Sequence, residues 1–399
     1  MANPIPFYEA DLFADDAIRN PYEHYRAMRE LGPIVYLPGL DCYAATRFDA
    51  VSEVLRQPEQ FISGEGISFN APMNEAATNT VINSDGAKHD MLRKIELQPL
   101  SAKALNELRE RVFSSARQLI TDLLRLGPVW HDAVADIARH LPLTIVMELG
   151  GLPPQGKERM LKWAASVFDL QGPLNERAQA AFPSVQEMLR YVSEDIDPGA
   201  VHPGSWAERA FRMADDGEIP PDLVPALLTD FIAPSLDTTI AGTGNLLMLL
   251  AQNPDQWALL RSDRGKVPNA INEALRLESP IRCFTRYAPR ETSVCGMPLP
   301  ARSRVAVFYA AANRDERVFE RPDSFDISRR NASQHLAFGL GAHQCIGNNL
   351  ARLEMMAILN ELLDEVEAFE IGEPVYALNN LLRTLHSMPI RFAAPSRTN

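Results

Sequence analysis

The stretch Phe338-Gly339-Leu340-Gly341-Ala342-His343-Gln344-Cys345-Ile346-Gly347 decides how the chain is read. Two glycines precede Cys345 and a third follows it. The next residues, Asn348-Asn349-Leu350-Ala351-Arg352-Leu353-Glu354-Met355-Met356-Ala357, are apolar at helical spacing. One thiol is thereby set at a helix start, where unpaired backbone N–H groups and the positive end of the helix dipole favour the thiolate. Glycines let the backbone pass close to a large flat group. Haem iron held by a cysteine thiolate is one such arrangement, and the one that favours O–O cleavage. The plain alternative for Cys345 is a buried structural thiol. Zinc is disfavoured, because His343 and Cys345 have no second ligand pair at suitable spacing.

With 46% hydrophobic and 23% charged residues over 399 positions, the chain is globular. Its length exceeds a usual single core, but some folds of this size form one continuous unit. The four cysteines, Cys42, Cys283, Cys295 and Cys345, show no framework spacing, which fits a reducing cytoplasm. No apolar run near the N-terminus reads as a signal peptide or membrane anchor, so no membrane association is expected. A net charge of −13 argues against nucleic acid as a partner.

Helical patterns dominate at Pro21–Leu31, Ala104–Leu126 and Leu223–Gln252. Short β-type runs appear at Ile34–Leu37, Cys42–Thr46 and Val305–Phe308, with another near Pro389–Phe392. The Gly151-Leu152-Pro153-Pro154 break and the Val201–Gly204 loop punctuate the middle without reading as linkers. The expectation is a mostly α fold with small β-sheets, a single domain over 1–399 with a smaller β-rich lobe on the N-terminal side.

The segment from Pro221 to Gln252 would span roughly 45–50 Å if helical throughout. It opens on Pro220-Pro221-Asp222 and stops at Asn253-Pro254. Halfway along, Pro234-Ser235-Leu236-Asp237-Thr238-Thr239 interrupts the apolar pattern. Polar groups inside a buried helix are costly unless paired or used. They form either a solvated notch, a threonine bonded back to its own helix, or a functional pair. Pro234 has no N–H and would clash with the Asp230 carbonyl, so a kink is predicted here.

Taken together, F-G-x-G-x-H-x-C-x-G near the C-terminal end resembles the haem-binding loop of the cytochrome P450 family, and the likeness covers nearly the whole chain. It implies the family's mostly α fold, heme b (iron protoporphyrin IX) with Cys345 as iron ligand, and Phe338, Gly339 and Gly347 against the cofactor. The Pro234–Thr239 segment is similar to the family's oxygen-activation motif, with Asp237 and Thr238 as an acid–alcohol pair that relays protons. The family usually has small residues where this chain has Pro234 and Ser235. The kink then makes room for O2, and the Ser235 hydroxyl is expected to hold water near the iron.

Glu273-Ala274-Leu275-Arg276 is an E-x-x-R whose pair shares a helix face. In the family it is a buried brace completed by an arginine, here Arg329 in Phe325-Asp326-Ile327-Ser328-Arg329. The resemblance assigns the haem propionates to His89, Arg93, Arg286 and His343; His89 and Arg93, four apart, share a helix face. Such enzymes take electrons from a separate donor, here a [2Fe-2S] or similar ferredoxin with an NAD(P)H-dependent reductase. Arg352 and Lys94 would offer that ferredoxin a local positive surface. A monomer is expected.

Asn272–Thr285, Ala312–Asp315, Ser324–Arg329 and Phe168–Glu176 look most like soluble bacterial oxygenases that demethylate para-methoxybenzoates. Phe168, Ile67, Ala233, Ile281, Thr285 and Leu385 are the implied substrate pocket. The anion-binding details do not carry over. Where those relatives have an arginine after Phe61, this chain has Glu65; their distal-helix Arg and Ser fall at Thr229 and Ala233, and Asp230 adds negative charge. A buried carboxylate would meet no cation there, at high cost, unless Arg282 supplied one. The expectation is therefore a monooxygenase hydroxylating or O-demethylating a small neutral aromatic such as a methoxyphenol. The alternatives are a para-substituted benzoate oxygenase, a peroxide-driven peroxygenase and a non-catalytic haem or aromatic-ligand binding protein.

Overall fold

The computed structural model describes residues 5–153 and 157–393; Pro154, which closes the predicted Pro-rich break, lies outside the described residues. Helices dominate and the sheets are small. Ala102–Arg125 shows why the long helices form. Ser101 caps its start by accepting from the Ala104 N–H at 3.3 Å, and Leu105, Leu108, Val112, Ala116, Ile120 and Leu123 make one buried stripe. That stripe packs on Asn348–Glu365, the helix that follows the cysteine loop.

The largest sheet has four strands in the order Ile34–Leu37, Cys42–Ala45, Ser303–Val307, Phe284–Ala288. The first pair is antiparallel, while Tyr43 faces Val305 in a parallel pairing. The β-rich lobe thus draws half its strands from residues 284–307 and is not confined to the N-terminal side. It joins distant parts of the chain. A second sheet pairs Pro389–Ala393 with His131–Asp132 and Ala368–Ile371.

The predicted long helix is broken in two, Val224–Ser235 and Asp237–Gln252. Leu236 carries the break, with φ −94° and ψ −69°, two residues beyond the proline predicted to cause it. Ser235 and Thr238 each donate a side-chain hydroxyl to the carbonyl four residues back, Phe231 and Pro234, and so bond across the disturbed turn. Among the described residues this is the one helical run long and apolar enough to cross a membrane. Every residue from Thr239 to Leu250 is buried in the protein, which makes it a core helix.

Candidate functional site

The cysteine loop closes on itself before its helix begins. The Cys345 N–H donates to the Phe338 carbonyl at 2.8 Å, and Asn348 Nδ2 donates to the Cys345 carbonyl at 2.6 Å. Gly339 and Gly341 take φ of +68° and +75°, a region costly for other residues. A Cβ on Gly341 would stand 2.5 Å from the Leu55 carbonyl oxygen, so glycine alone fits there. Cys345 lies deep beneath the molecular surface yet is open to an internal cavity. Burial pushes its thiol pKa up, against the Gly347 N–H, the Arg93 guanidinium and the Asn348 N–H, which pull it down. The helix-start N–H groups favour the thiolate, as the sequence implies, while burial opposes them; a bound metal ion would favour the thiolate further, since coordination deprotonates a thiol outright.

The cavity measures about 570 Å³, within the range of small-molecule sites. Phe338, Gly339, His343, Cys345 and Gly347 form one end. Ala233, Ser235 and Thr238, from the broken helix, also line the cavity, as do Phe168 and Ile281. Three residues assigned to the pocket do not reach it. Ile67 is fully buried in the structure, its N–H bonded to Asn83 Oδ1 and its carbonyl to the Thr285 N–H. The Thr285 hydroxyl is engaged by the Ser68 carbonyl and by Arg304. Leu385 sits in a strand against Gly244 and Val134.

The two halves of the acid–alcohol pair also separate. Thr238 lines the cavity, whereas Asp237 is not among the residues that line it. Asp237 Oδ2 has no hydrogen-bond partner, and burial raises its pKa to about 7, with Arg139 opposing and Asp169 adding to the rise. The Ser235 hydroxyl donates to Phe231, so its proton is committed to the helix and not free to order water.

Four donors gather around the cysteine end. Arg93 donates to the Gln344 carbonyl at 2.7 Å, next to the cysteine, and lines the cavity with Arg286. The His89 and His343 rings lie 4.4 Å apart, and His343 Nε2 is 3.8 Å from Asp85 Oδ1. Burial lowers the His343 pKa, with Asp85 opposing. His89 is 3% exposed and its Nε2 has no partner. An orphaned buried donor beside two cavity-lining cations fits an anionic group that the protein chain itself does not supply. A flat macrocycle with two carboxylates, coordinated through Cys345, meets each of these features.

Behind the site, Glu273 is fully buried between two arginines. Arg276 donates to it at 2.7 and 2.8 Å, and Arg329 at 2.9 Å. The arginines also hold the carbonyls of Asn313, Pro322 and Ser324 and of Glu320 and Arg321. One surface role and one pocket role fail. Arg352 is tied to Asn272 and stacked 4.8 Å over the Phe338 ring, which leaves Lys94 as the exposed cation of that pair. Arg282 is 1% exposed and bonded to Tyr25, the Asn380 carbonyl and the Leu12 carbonyl, so it offers the cavity no charge.

Sequence reasoning missed two acids. Glu96 lines the cavity beside Asp230; it follows His89 and Arg93 at helical spacing, which was a usable signal. Glu354 also lines the cavity, with neither carboxylate oxygen hydrogen-bonded and its pKa raised by burial to about 8. Its place between Leu350 and Ile358 on a buried stripe marked it as unusual.

Residues 186–375 match the family model for cytochrome P450. The chain is 34% identical over 391 residues to cytochrome P450 CYP199A2 of Rhodopseudomonas palustris, covering 97% of this chain and 94% of that protein. It is 29% identical to cytochrome P450-terp of a Pseudomonas species, covering 95% of each chain. The crystal structure of CYP108D1 from Novosphingobium aromaticivorans superimposes with a TM-score of 0.78 at 26% identity, over 95% of this chain and 96% of that one. P450BioI, solved with a fatty-acid-ligated acyl carrier protein, gives 0.85 at 22% identity over 95% and 99% of the two chains, a likeness of fold. The chain belongs to the cytochrome P450 family and is a monooxygenase whose cofactor is haem b.

Proposed function

We propose that this monooxygenase hydroxylates or O-demethylates a small neutral aromatic, a methoxyphenol in the simplest case. Cys345 is the iron ligand, and His89, Arg93, Arg286 and His343 receive the propionates. The bound haem supplies reductive activation of O2 and oxidation of a C–H bond; oxidation at a methoxy carbon yields a hemiacetal that collapses to a phenol and formaldehyde. Thr238 lines the cavity with its hydroxyl resting on the Pro234 carbonyl; release of that bond frees it to relay a proton, which the neighbouring Asp237 supplies. The brace of Glu273, Arg276 and Arg329 holds the segment that leads into the cysteine loop. Electrons come from a ferredoxin that docks near Lys94, and the protein works in the cytoplasm as a single-domain monomer.

The observation that carries the choice of substrate is the wall at Thr229, Asp230 and Ala233. It holds an acid, and the Thr229 hydroxyl is spent on the Pro225 carbonyl at 2.8 Å. Arg282, a cation that could have compensated, is committed elsewhere, and the cavity-lining Arg93 and Arg286 are assigned to the propionates. A benzoate would bury its charge against Asp230 unpaired, a penalty of several kcal/mol. The test is an optical titration of the ferric holoenzyme. 4-Methoxyphenol should convert low-spin haem to high-spin, and 4-methoxybenzoate should not; tight binding of the benzoate would overturn the neutral-substrate reading.

A further inference from the structure

Asp230 and Glu96 stand on two different helices, Val224–Ser235 and Gly86–Leu97, and both line the cavity. Asp230 lies deep in the protein but keeps surface open to the cavity. One of its oxygens, Oδ2, accepts from the Val81 N–H at 2.7 Å. Glu96 is only 9% exposed, and its Oε1 has no hydrogen-bond partner. Two carboxyl groups in contact with so little water cannot both ionise. Burial raises both, Asp230 to about 7; the Val81 N–H favours the charged form of Asp230, while the Asp230 charge favours the neutral form of Glu96. Both groups are thus pushed toward the neutral form, and the Val81 N–H makes Asp230 the member that ionises more readily. The guanidinium nearest to Glu96, Arg93, is bonded to the Gln344 carbonyl at the cysteine end. Among the described residues no side chain donates a hydrogen bond to Asp230 other than Glu96, which leaves lone pairs facing the cavity without a donor.

We propose that Asp230 and Glu96 form a specificity-determining pair that selects an aromatic substrate by its hydroxyl group, which donates to Asp230, and excludes substrates that present only acceptors or an anion. This rests on the aromatic reading above and refines it. Asp230 lies eight residues before Thr238, across the break at Leu236, and both line the cavity. A para-disubstituted ring would lie between them: the hydroxyl meets Asp230 and the opposite substituent lies towards Thr238 and Cys345. A hydroxyl that satisfies a buried polar group discriminates strongly against an analogue that lacks it, because the protein group is otherwise left unpaired.

The test compares 4-methoxyphenol with 4-methoxytoluene, which replaces hydroxyl by methyl at nearly constant shape, in spin-state titrations of the ferric holoenzyme. The wild type should bind the phenol at least tenfold tighter. Asp230→Leu should bring that ratio to within twofold of unity. Asp230→Asn, which keeps an acceptor for the Val81 N–H and guards against misfolding of the leucine variant, should lower the ratio at least threefold. Equal affinities in the wild type, or a ratio unchanged in both variants, would overturn the pair's role while leaving the aromatic reading in place. A spin shift with neither ligand would overturn both.

Discussion

Replacing Glu273 by Gln should be among the most damaging near-isosteric changes in this protein. The substitution preserves shape and leaves no cavity, so its effect isolates the charge. Glu273 accepts from Arg276 twice, from Arg329 and from the Asp326 N–H at 3.1 Å, and Glu273 and Arg276 have no solvent access. Glutamine would leave two buried guanidinium groups without a counter-ion, and breaking a buried pair this way costs about 3–5 kcal/mol. Unfolding entropies of about 2.1 cal/mol/K per residue give about 0.8 kcal/mol/K for 399 residues, so the melting temperature should fall by about 4–6 °C. The damage should also spread to the cofactor. Arg276 holds the Asn313 carbonyl, and Asn313 Oδ1 receives the Leu336 N–H at 2.6 Å, two residues before the haem loop begins. The assay is thermal unfolding of the holoenzyme by circular dichroism at one fixed scan rate, with haem content measured in parallel. Glu107→Gln is the control, because its pair with Lys103 is largely exposed and worth less than about 1 kcal/mol. A shift of under about 1 °C for Glu273→Gln, equal to the control, would refute the reasoning.

Two further outcomes follow from the site. Because burial holds Asp237 protonated up to about pH 7, turnover that draws on its proton should decline as pH rises through 7. Asp237→Asn should remove that limb and slow product formation at least tenfold, while ligand spin shifts stay as in the wild type; an unchanged rate and pH profile would remove Asp237 from the proton path. Gly341→Ala would force a Cβ to 2.5 Å from the Leu55 oxygen at a φ of +75°. Haem retention on gel filtration should drop sharply, and full retention would show that the loop can shift without cost.

Much of the site was legible because its chemistry is local in sequence. The spacing of glycines around Cys345, the four-residue step from His89 to Arg93 and the three-residue step from Glu273 to Arg276 each state a geometry in a few letters. The helix break was legible too, although Leu236 and not Pro234 absorbs it, since the hydroxyls of Ser235 and Thr238 re-bond the turn. What failed depended on long-range packing. Ile67, Thr285 and Leu385 have the composition of pocket residues, but strand pairing and neighbouring turns aim them into the interior. Arg282 reads as a free cation until the N-terminal segment around Leu12 and Tyr25 is seen to enclose it. Glu96 and Asp230 are far apart in the chain, and nothing local shows that their helices bring two acids to one cavity.

The central claim is that Cys345 binds haem iron as a thiolate at one end of this cavity. The reduced carbon monoxide complex of the purified holoenzyme tests it most directly. Thiolate ligation predicts a strongly red-shifted Soret band that is lost in Cys345→His; a globin-like band in the wild type, or a red-shifted band that survives the substitution, would contradict the assignment.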